Sequence, residues 1–197
     1  MIHDPIWRKV VFYREPLSRF LSAYRSKCER ADADGAIWCF NAFGNSCISF
    51  HDAIALAYSN RIKRDPHFAK QSDFCGGFQL AIAHYQDIYP LDKSSTRVNF
   101  IQLLESLRLP YRGNSEFALK VNKLLPPVGI DKARTVARFT HSNDARNLIE
   151  YYTKQCYIRT IVDYYQDDYN TFKIKYPVWA VTALRNTSRE SCLGLTY

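Results

Sequence analysis

The chain has 197 residues, 47% of them hydrophobic, which is enough for one domain with a sizeable core. Its formal net charge of +8 favours anionic partners such as a nucleotide, an acidic glycan or nucleic acid, although a merely solvated basic surface has the same composition. No run approaches the roughly 18 apolar residues that span a bilayer, and no signal peptide is predicted at the N-terminus.

The first predicted element is a buried strand over residues 7–13, a segment rich in β-branched and aromatic side chains without a breaker. A helix of roughly three turns should follow. Pro16 suits the first turn of a helix, where its missing N–H group is not needed, and Phe20 and Tyr24 recur at helical spacing.

The turn between this strand and this helix has the composition of a phosphate site. A strand that ends on Arg14 and turns directly into a helix brings a guanidinium and unpaired backbone N–H groups to one point. Ser18 and Ser22 lie four residues apart on one helix face, so a hydroxyl can join the guanidinium. We therefore expect Arg14 and one of these two hydroxyls to point into one solvent-accessible pocket. The alternative is an amphipathic helix whose Arg19 and Arg25 are simply solvated.

Cysteines occur at positions 28, 39, 47, 75, 156 and 192, and no pair has the Cys-x-x-Cys spacing of a zinc site. The first three surround a Gly- and Asn-containing stretch that is predicted to be a loop. A disulfide can close such a loop in an oxidising compartment, and free buried thiols are the equal alternative. Asn186 begins an Asn-Thr-Ser glycosylation sequon, which points towards the same kind of compartment.

Apart from a second strand candidate at residues 85–92, the remainder is predicted to be mainly helical. The predicted helices cover residues 50–62, 97–109, 115–125 and 158–172. Pro90 should limit ladder hydrogen bonding within the second strand. Residues 126–138 are predicted to form a long loop, whose basic side chains face either an anionic ligand or solvent.

The segment from residue 14 to residue 24 closely resembles a known motif. It is similar to the 3′-phosphate-binding motif of sulfotransferases that use 3′-phosphoadenosine 5′-phosphosulfate (PAPS), in particular the Golgi carbohydrate sulfotransferases. The six fixed positions of that motif are all present, as Arg14, Pro16, Arg19, Ser22, Ala23 and Tyr24. The resemblance implies that Arg14 and Ser22 hold the 3′-phosphate of the nucleotide.

Two further segments resemble the same family and occur in the same order. Residues 65–71, followed by Phe74 and Cys75, are similar to its Asp-Pro-His-Trp-x-Pro-Gln segment and the cysteine after it. Phe68 stands here for the family's Trp, and Lys70 for its Pro. Residues 140–145, 150–153 and 164–172 are similar to the closing helices of the family, so the resemblance runs from about residue 10 to residue 177.

The chain departs from the family pattern at its beginning. Family members start with a strand and a P-loop-like turn, whose Lys and Ser/Thr grip the 5′-phosphosulfate. No Lys-x-x-x-Ser/Thr loop occurs before Arg14. The expected fold is therefore a helix-rich α/β fold of the P-loop-like sulfotransferase type, missing its first strand and loop. Such a chain is expected to bind adenosine 3′,5′-bisphosphate weakly and to turn over little.

The chemistry implied by the resemblance is transfer of a sulfuryl group from PAPS to a hydroxyl of a carbohydrate, without a metal. In this reaction the leaving phosphate has to be bound and the negative charge that develops during the transfer has to be neutralised. A base is also needed to accept the proton of the acceptor hydroxyl. His67 is the best candidate for the base because histidine titrates near neutral pH. A structural role, in which His67 braces its loop through a hydrogen bond, is the alternative. His141 is a weaker candidate on the same grounds.

A single sulfotransferase-like domain is expected over residues 1–180, followed by a polar tail over residues 181–197. The resemblance implies a Golgi location, with membrane attachment only through an anchor upstream of this chain, and a nucleotide and a glycan as partners. No nucleic acid is expected as a partner on this interpretation. The alternative function is a non-catalytic basic module that binds a polyanion or nucleic acid.

Overall fold

The structure, a computed structural model, describes residues 7–29, 33–63, 65–92, 95–108, 116–125 and 148–186. Its internal contacts divide the chain into two units. The larger unit takes in positions 1–9, 15–86 and 143–197, and the smaller one takes in positions 10–14 and 87–142. The expectation of one domain over residues 1–180 stays a prediction.

The described residues of the smaller unit form a two-stranded parallel sheet and two helices. Its elements are β1 (Val10–Tyr13), β2 (Asp87–Pro90), α5 (Thr96–Ser106) and α6 (Glu116–Leu124). The strands pair from Val10 opposite Asp87 to Tyr13 opposite Pro90. Pro90 is the last residue of its strand. Its missing N–H group therefore removes a backbone hydrogen bond only at the end of the ladder. The N–H of Leu91 continues the pairing and donates to the carbonyl of Tyr13 at 2.6 Å.

Both strand regions are confirmed, but the first strand is shorter than predicted. It begins at Val10 rather than at residue 7, and Trp7 is 65% exposed. The N–H of Lys9 donates to the side-chain oxygen Oε1 of Gln86 at 2.7 Å, while its carbonyl accepts from the backbone N–H of Gln86 at 3.1 Å. The paired residues of the ladder begin at Val10.

The larger unit is built from helices, and helix α1 continues directly into a π-helix. Its elements are α1 (Pro16–Tyr24), the π-helix (Arg25–Glu29), α2 (Ala33–Phe43), α3 (Phe50–Tyr58), a 3₁₀-helix (Gln71–Gly76), α4 (Phe78–Ala81), a second 3₁₀-helix (Ile82–His84), α7 (Leu148–Tyr151), α8 (Gln155–Tyr164), α9 (Gln166–Phe172) and α10 (Val178–Asn186). Helix α10 thus includes the beginning of the segment expected to be a polar tail. Within the described residues, no helix combines the length and apolar character required to cross a bilayer.

Helix α1 lies at the centre of the core of this unit. Leu17, Phe20, Ile54 and Ile161, from α1, α3 and α8, are completely buried. The ring of Phe20 meets the rings of Phe50, Phe68 and Tyr165 edge to face, with centroids 5.6–6.4 Å apart. The predicted apolar stripe of the first helix is therefore confirmed as a core-facing surface.

Two local predictions are wrong. The cysteine-rich stretch, predicted to be a loop, contains helix α2, because burial of Cys39 and Ala42 outweighs the local preference of Gly35 and Asn41 for turns. The single helix predicted over residues 158–172 is interrupted at Tyr165, where α8 ends and α9 begins.

A disulfide between Cys28 and Cys39 joins the π-helix to α2. Cys156 is also disulfide-bonded, whereas Cys47 and Cys75 are exposed free thiols. For Cys28 and Cys39 the structure thus decides between the two alternatives in favour of the disulfide. This disulfide connects residues only 11 positions apart in the sequence.

Replacing Cys28 and Cys39 together with alanine is expected to lower the free energy of unfolding by about 2–3 kcal/mol, because an unfolded chain without the cross-link gains conformational entropy. Urea denaturation followed by circular dichroism measures the change. Cys47→Ala is the control, since this thiol is exposed and unbonded, and it should stay within about 0.5 kcal/mol of the parent protein. A double variant as stable as the parent would contradict the expectation.

Candidate functional site

The N-terminus of α1 is capped by a carboxylate. The N–H of Leu17 donates to Oε1 of Glu15 at 3.0 Å, and the N–H of Ser18 donates to Oε2 at 2.8 Å. The N–H of Arg19 donates to the backbone carbonyl of Glu15 at 2.9 Å, and Pro16 has no N–H group. The expectation of unpaired backbone donors at this helix start is therefore wrong, because the side chain of Glu15 satisfies them.

Tyrosines from the third family-like segment hold this helix start in place. The hydroxyl of Tyr169 donates to Oε1 of Glu15 at 2.6 Å, and that of Tyr152 donates to the carbonyl of Leu17 at 2.8 Å. Burial raises the pKa of Tyr169, and the neighbouring carboxylate of Glu15 raises it further. Burial also raises the pKa of Tyr152 well above its usual value. Both phenols therefore stay protonated as hydrogen-bond donors at physiological pH.

The two residues predicted to hold a phosphate lie in different units. Arg14 directly follows β1 in the smaller unit, and Ser22 lies on α1 in the larger one. Both are partly buried. The pocket that these residues are expected to share stays a prediction.

The remaining fixed positions of the first motif have structural roles. Pro16, Ala23 and Tyr24 are buried, and the hydroxyl of Tyr24 donates to the carbonyl of Ile48 at 2.9 Å. The guanidinium of Arg19 donates to the carbonyls of Ala69 at 2.5 Å and Pro66 at 3.0 Å. Arg19 therefore fastens the first motif to the second, and the interpretation of this side chain as solvated is wrong.

The aromatic environment of Arg19 supports the same role. Its guanidinium carbon lies 5.7 Å from the ring centre of Phe74 and 5.8 Å from that of Tyr165. We refer to residues 65–71 as the His67 loop. In the middle of this loop, the carbonyl of Phe68 accepts a hydrogen bond from the hydroxyl of Tyr165 at 2.6 Å. Sequence spacing does not reveal these contacts, because the acceptors are backbone carbonyls.

His67 is bonded to a buried carboxylate at the start of this loop. Oδ1 of Asp65 accepts a hydrogen bond from the N–H of His67 at 2.9 Å and lies 3.1 Å from Nδ1 of its ring. Asp65 is only 2% exposed, while the side chain of His67 is 33% exposed. The ring of Trp38 approaches the imidazole edge to face at 5.0 Å. His67 thus makes the bracing hydrogen bond, and its catalytic role stays a prediction.

The far end of the His67 loop is held by α9. Asp168, which is completely buried, accepts hydrogen bonds from the N–H of Gln71 at 3.0 Å and from the N–H of Ser72 at 2.8 Å. Nζ of Lys70 lies 2.7 Å from Oδ2 of Asp167. Arg19 from the first family-like segment and Asp167 and Asp168 from the third therefore contact the second segment or its end within the larger unit.

The substitutions in the second segment are accommodated by the fold. Phe68, which replaces a Trp of the family pattern, is completely buried, and its ring packs edge to face on Phe43 at 4.7 Å. Lys70, which replaces a Pro, gains the ion pair with Asp167. His141 and the predicted basic loop at residues 126–138 lie outside the described residues.

Comparison with protein families agrees with this arrangement. A family model described as "Sulfotransferase family" matches residues 6–177, which is most of the chain. No curated protein and no solved structure matches the chain. The matched range contains all of the contacts described around the His67 loop.

Proposed function

Because the chain belongs to the sulfotransferase family, we propose that it transfers a sulfuryl group from PAPS to a hydroxyl of a carbohydrate. The observation that supports this most directly is the attachment of the His67 loop to the phosphate-binding motif through the side chain of Arg19. Two segments with separate roles in the family pattern are thereby fixed to each other. A merely basic surface would not require such a connection.

We assign nucleotide binding to side chains rather than to backbone N–H groups, and we call Arg14 and Ser22 the nucleotide grip. The first-turn N–H groups of α1 are occupied by Glu15, so they add no donors for a phosphate. Arg14 can supply charge-assisted hydrogen bonds to the 3′-phosphate, and Ser22 can supply one hydroxyl. The proposal assigns these two side chains to the 3′-phosphate.

His67 is assigned the role of the base. In the transfer, the acceptor oxygen forms a bond to sulfur while the bond between sulfur and the phosphate oxygen of PAPS breaks. The proton of the acceptor hydroxyl passes to His67, and adenosine 3′,5′-bisphosphate leaves. A partly exposed imidazole held by a carboxylate suits this task.

A polar cleft near the loop favours a hydroxylated acceptor. It has a volume of about 460 Å³ and is lined by Lys70 together with the ends of α3 and α8. Its wall includes Tyr58, Asn60, Asp163 and Tyr164, which together supply hydroxyl, amide and carboxylate groups. Lys70 is already paired with Asp167, so the cleft does not share the strongly basic character of the chain. Such a lining suits a neutral polyol better than a nucleotide.

The disulfide between Cys28 and Cys39 supports a location in an oxidising compartment. The family resemblance extends this to the Golgi lumen, where glycan acceptors and PAPS meet. We include Golgi residence and glycosylation at Asn186 in the proposal.

Isothermal titration calorimetry with adenosine 3′,5′-bisphosphate tests the nucleotide grip. Arg14→Ala is expected to weaken binding about ten- to hundredfold, because it removes hydrogen bonds to a charged group. Ser22→Ala should weaken it about two- to tenfold, as expected for one neutral donor. Arg25→Ala is the matched control, since it removes the same charge from a residue paired with Glu29.

Binding that survives Arg14→Ala unchanged would overturn the assigned grip. Equal binding of heparin and single-stranded DNA by the parent and by both arginine variants, with no response to the bisphosphate, would support the alternative of a basic polyanion-binding module. Strong salt dependence without nucleotide preference is the signature of that alternative.

A further inference from the structure

The carboxylate of Asp65 is more deeply buried than a simple turn requires. The residue is 2% exposed, and among the described residues its Oδ2 has no hydrogen-bond partner. Burying a carboxylate with one oxygen unsatisfied is energetically unfavourable. An uncharged Asn or Ser could close the same turn at lower cost, because only one acceptor oxygen is needed for the N–H of His67.

A second contact of Asp65, with the imidazole of His67, explains why this position carries a charged side chain. Its Oδ1 lies 3.1 Å from Nδ1 of His67, and a carboxylate oxygen can only accept in this contact. The proton of the neutral imidazole must then reside on Nδ1, which leaves the lone pair on Nε2. A neutral imidazole side chain in water prefers to carry its proton on Nε2. The carboxylate of Asp65 therefore has to stabilise the tautomer with the proton on Nδ1.

The surroundings keep both partners in place. The guanidinium of Arg19 bonds the carbonyl of Pro66, which lies between Asp65 and His67 in the sequence. The carbonyl of Asp65 accepts from the N–H groups of Phe68 and Ala69, at 3.1 and 2.7 Å. These bonds fix the backbone of the turn, and the N–H of His67 holds Oδ1 of Asp65 beside the imidazole.

We propose that Asp65 is a positioning residue that fixes the proton on Nδ1 of His67 and so makes Nε2 the nitrogen that accepts the proton of the acceptor hydroxyl. The catalytic half of this inference rests on the proposed function, whereas the tautomer does not depend on it. The same arrangement of base and orienting carboxylate serves nucleophile activation in other enzymes.

Long-range ¹H–¹⁵N correlation spectra of protein labelled with ¹⁵N-histidine, recorded at a pH where the imidazoles are neutral, measure the tautomer directly. His67→Gln identifies the signals of this residue among the 5 histidines. The parent protein should carry the proton on Nδ1. Asp65→Asn keeps an oxygen for the N–H of His67 but removes the charge, so it should show a mixture of both tautomers.

The rate of sulfuryl transfer from PAPS to a mixture of desulfated polysaccharides supplies the second readout. Asp65→Asn should lower kcat about ten- to hundredfold, with KM for PAPS nearly unchanged. Glu116→Gln is the matched control, because it removes the charge of an exposed carboxylate that pairs with Lys120 on α6, and it should alter neither tautomer nor rate.

A parent protein with the proton on Nε2 of His67 would overturn the inference whatever its activity. An Asp65→Asn variant that matches the parent in both tautomer and kcat would do so as well, since Asp65 would then only close a turn. A tautomer change without any detectable sulfuryl transfer by the parent would support the positioning of the ring and overturn the proposed reaction instead.

Discussion

Replacing Asp168 with alanine is expected to lower the free energy of unfolding by about 2–4 kcal/mol. The carboxylate is completely buried and accepts hydrogen bonds from the N–H groups of Gln71 and Ser72. Both of those residues are buried as well, so their N–H groups would lose a partner that water cannot replace without opening the core. Urea denaturation with linear extrapolation gives the change.

Asp167→Ala provides the matched control, because the neighbouring carboxylate is 42% exposed and only forms an ion pair with Lys70. Its loss should change the free energy of unfolding by less than about 1 kcal/mol. Asp168→Asn retains one acceptor oxygen and should lie between the parent and Asp168→Ala. If Asp168→Ala were as stable as the control variant, the attachment of the His67 loop to α9 would not stabilise the fold.

Replacing His67 with alanine is expected to lower kcat for sulfuryl transfer by about 10²–10⁴-fold, which is the usual contribution of a positioned general base. The measurement is the initial rate of transfer from PAPS to desulfated polysaccharides. KM for PAPS should change little, because the nucleotide grip is assigned to Arg14 and Ser22. His67→Gln, which keeps a polar side chain of similar size, should be equally impaired.

The variants His67→Ala and His67→Gln also distinguish a catalytic imidazole from one that only stabilises its loop. The backbone N–H of His67 still donates to Asp65 after the side chain is removed, so the free energy of unfolding should fall by less than about 1 kcal/mol. A larger loss of stability combined with a kcat within threefold of the parent would show that the imidazole only braces its loop.

The local elements around α1 could be predicted from the sequence because their signals are local. Pro16 at the start of a helix and the apolar stripe of α1 both depend on spacings of a few residues. Helix α2 could not be predicted in this way. Its stability depends on burial of Cys39 and on a disulfide to Cys28, and neither can be read from the turn-forming residues of that stretch.

The candidate site was only partly accessible from the sequence. The first motif contains Arg19 as a fixed position, and His67 was predicted as a base from the titration range of histidine, but the partners of these side chains are a buried carboxylate and two backbone carbonyls. Glu15 occupies the first helical turn because a negative side chain at a helix N-terminus can accept from its otherwise unpaired N–H groups. An acidic residue immediately before Pro16 was the signal that could have revealed it.

The order of synthesis has a consequence for when the loop around His67 acquires its shape. The hydrogen bond from Tyr169 to Glu15 connects residues 154 positions apart, and the one from Lys70 to Asp167 connects residues 97 positions apart. Ribosomes add about 5–20 residues per second, so Lys70 waits roughly 5–20 s for its partner. During that interval the apolar face of α1 lacks the helices that cover it, and the nascent chain is a natural client for chaperones.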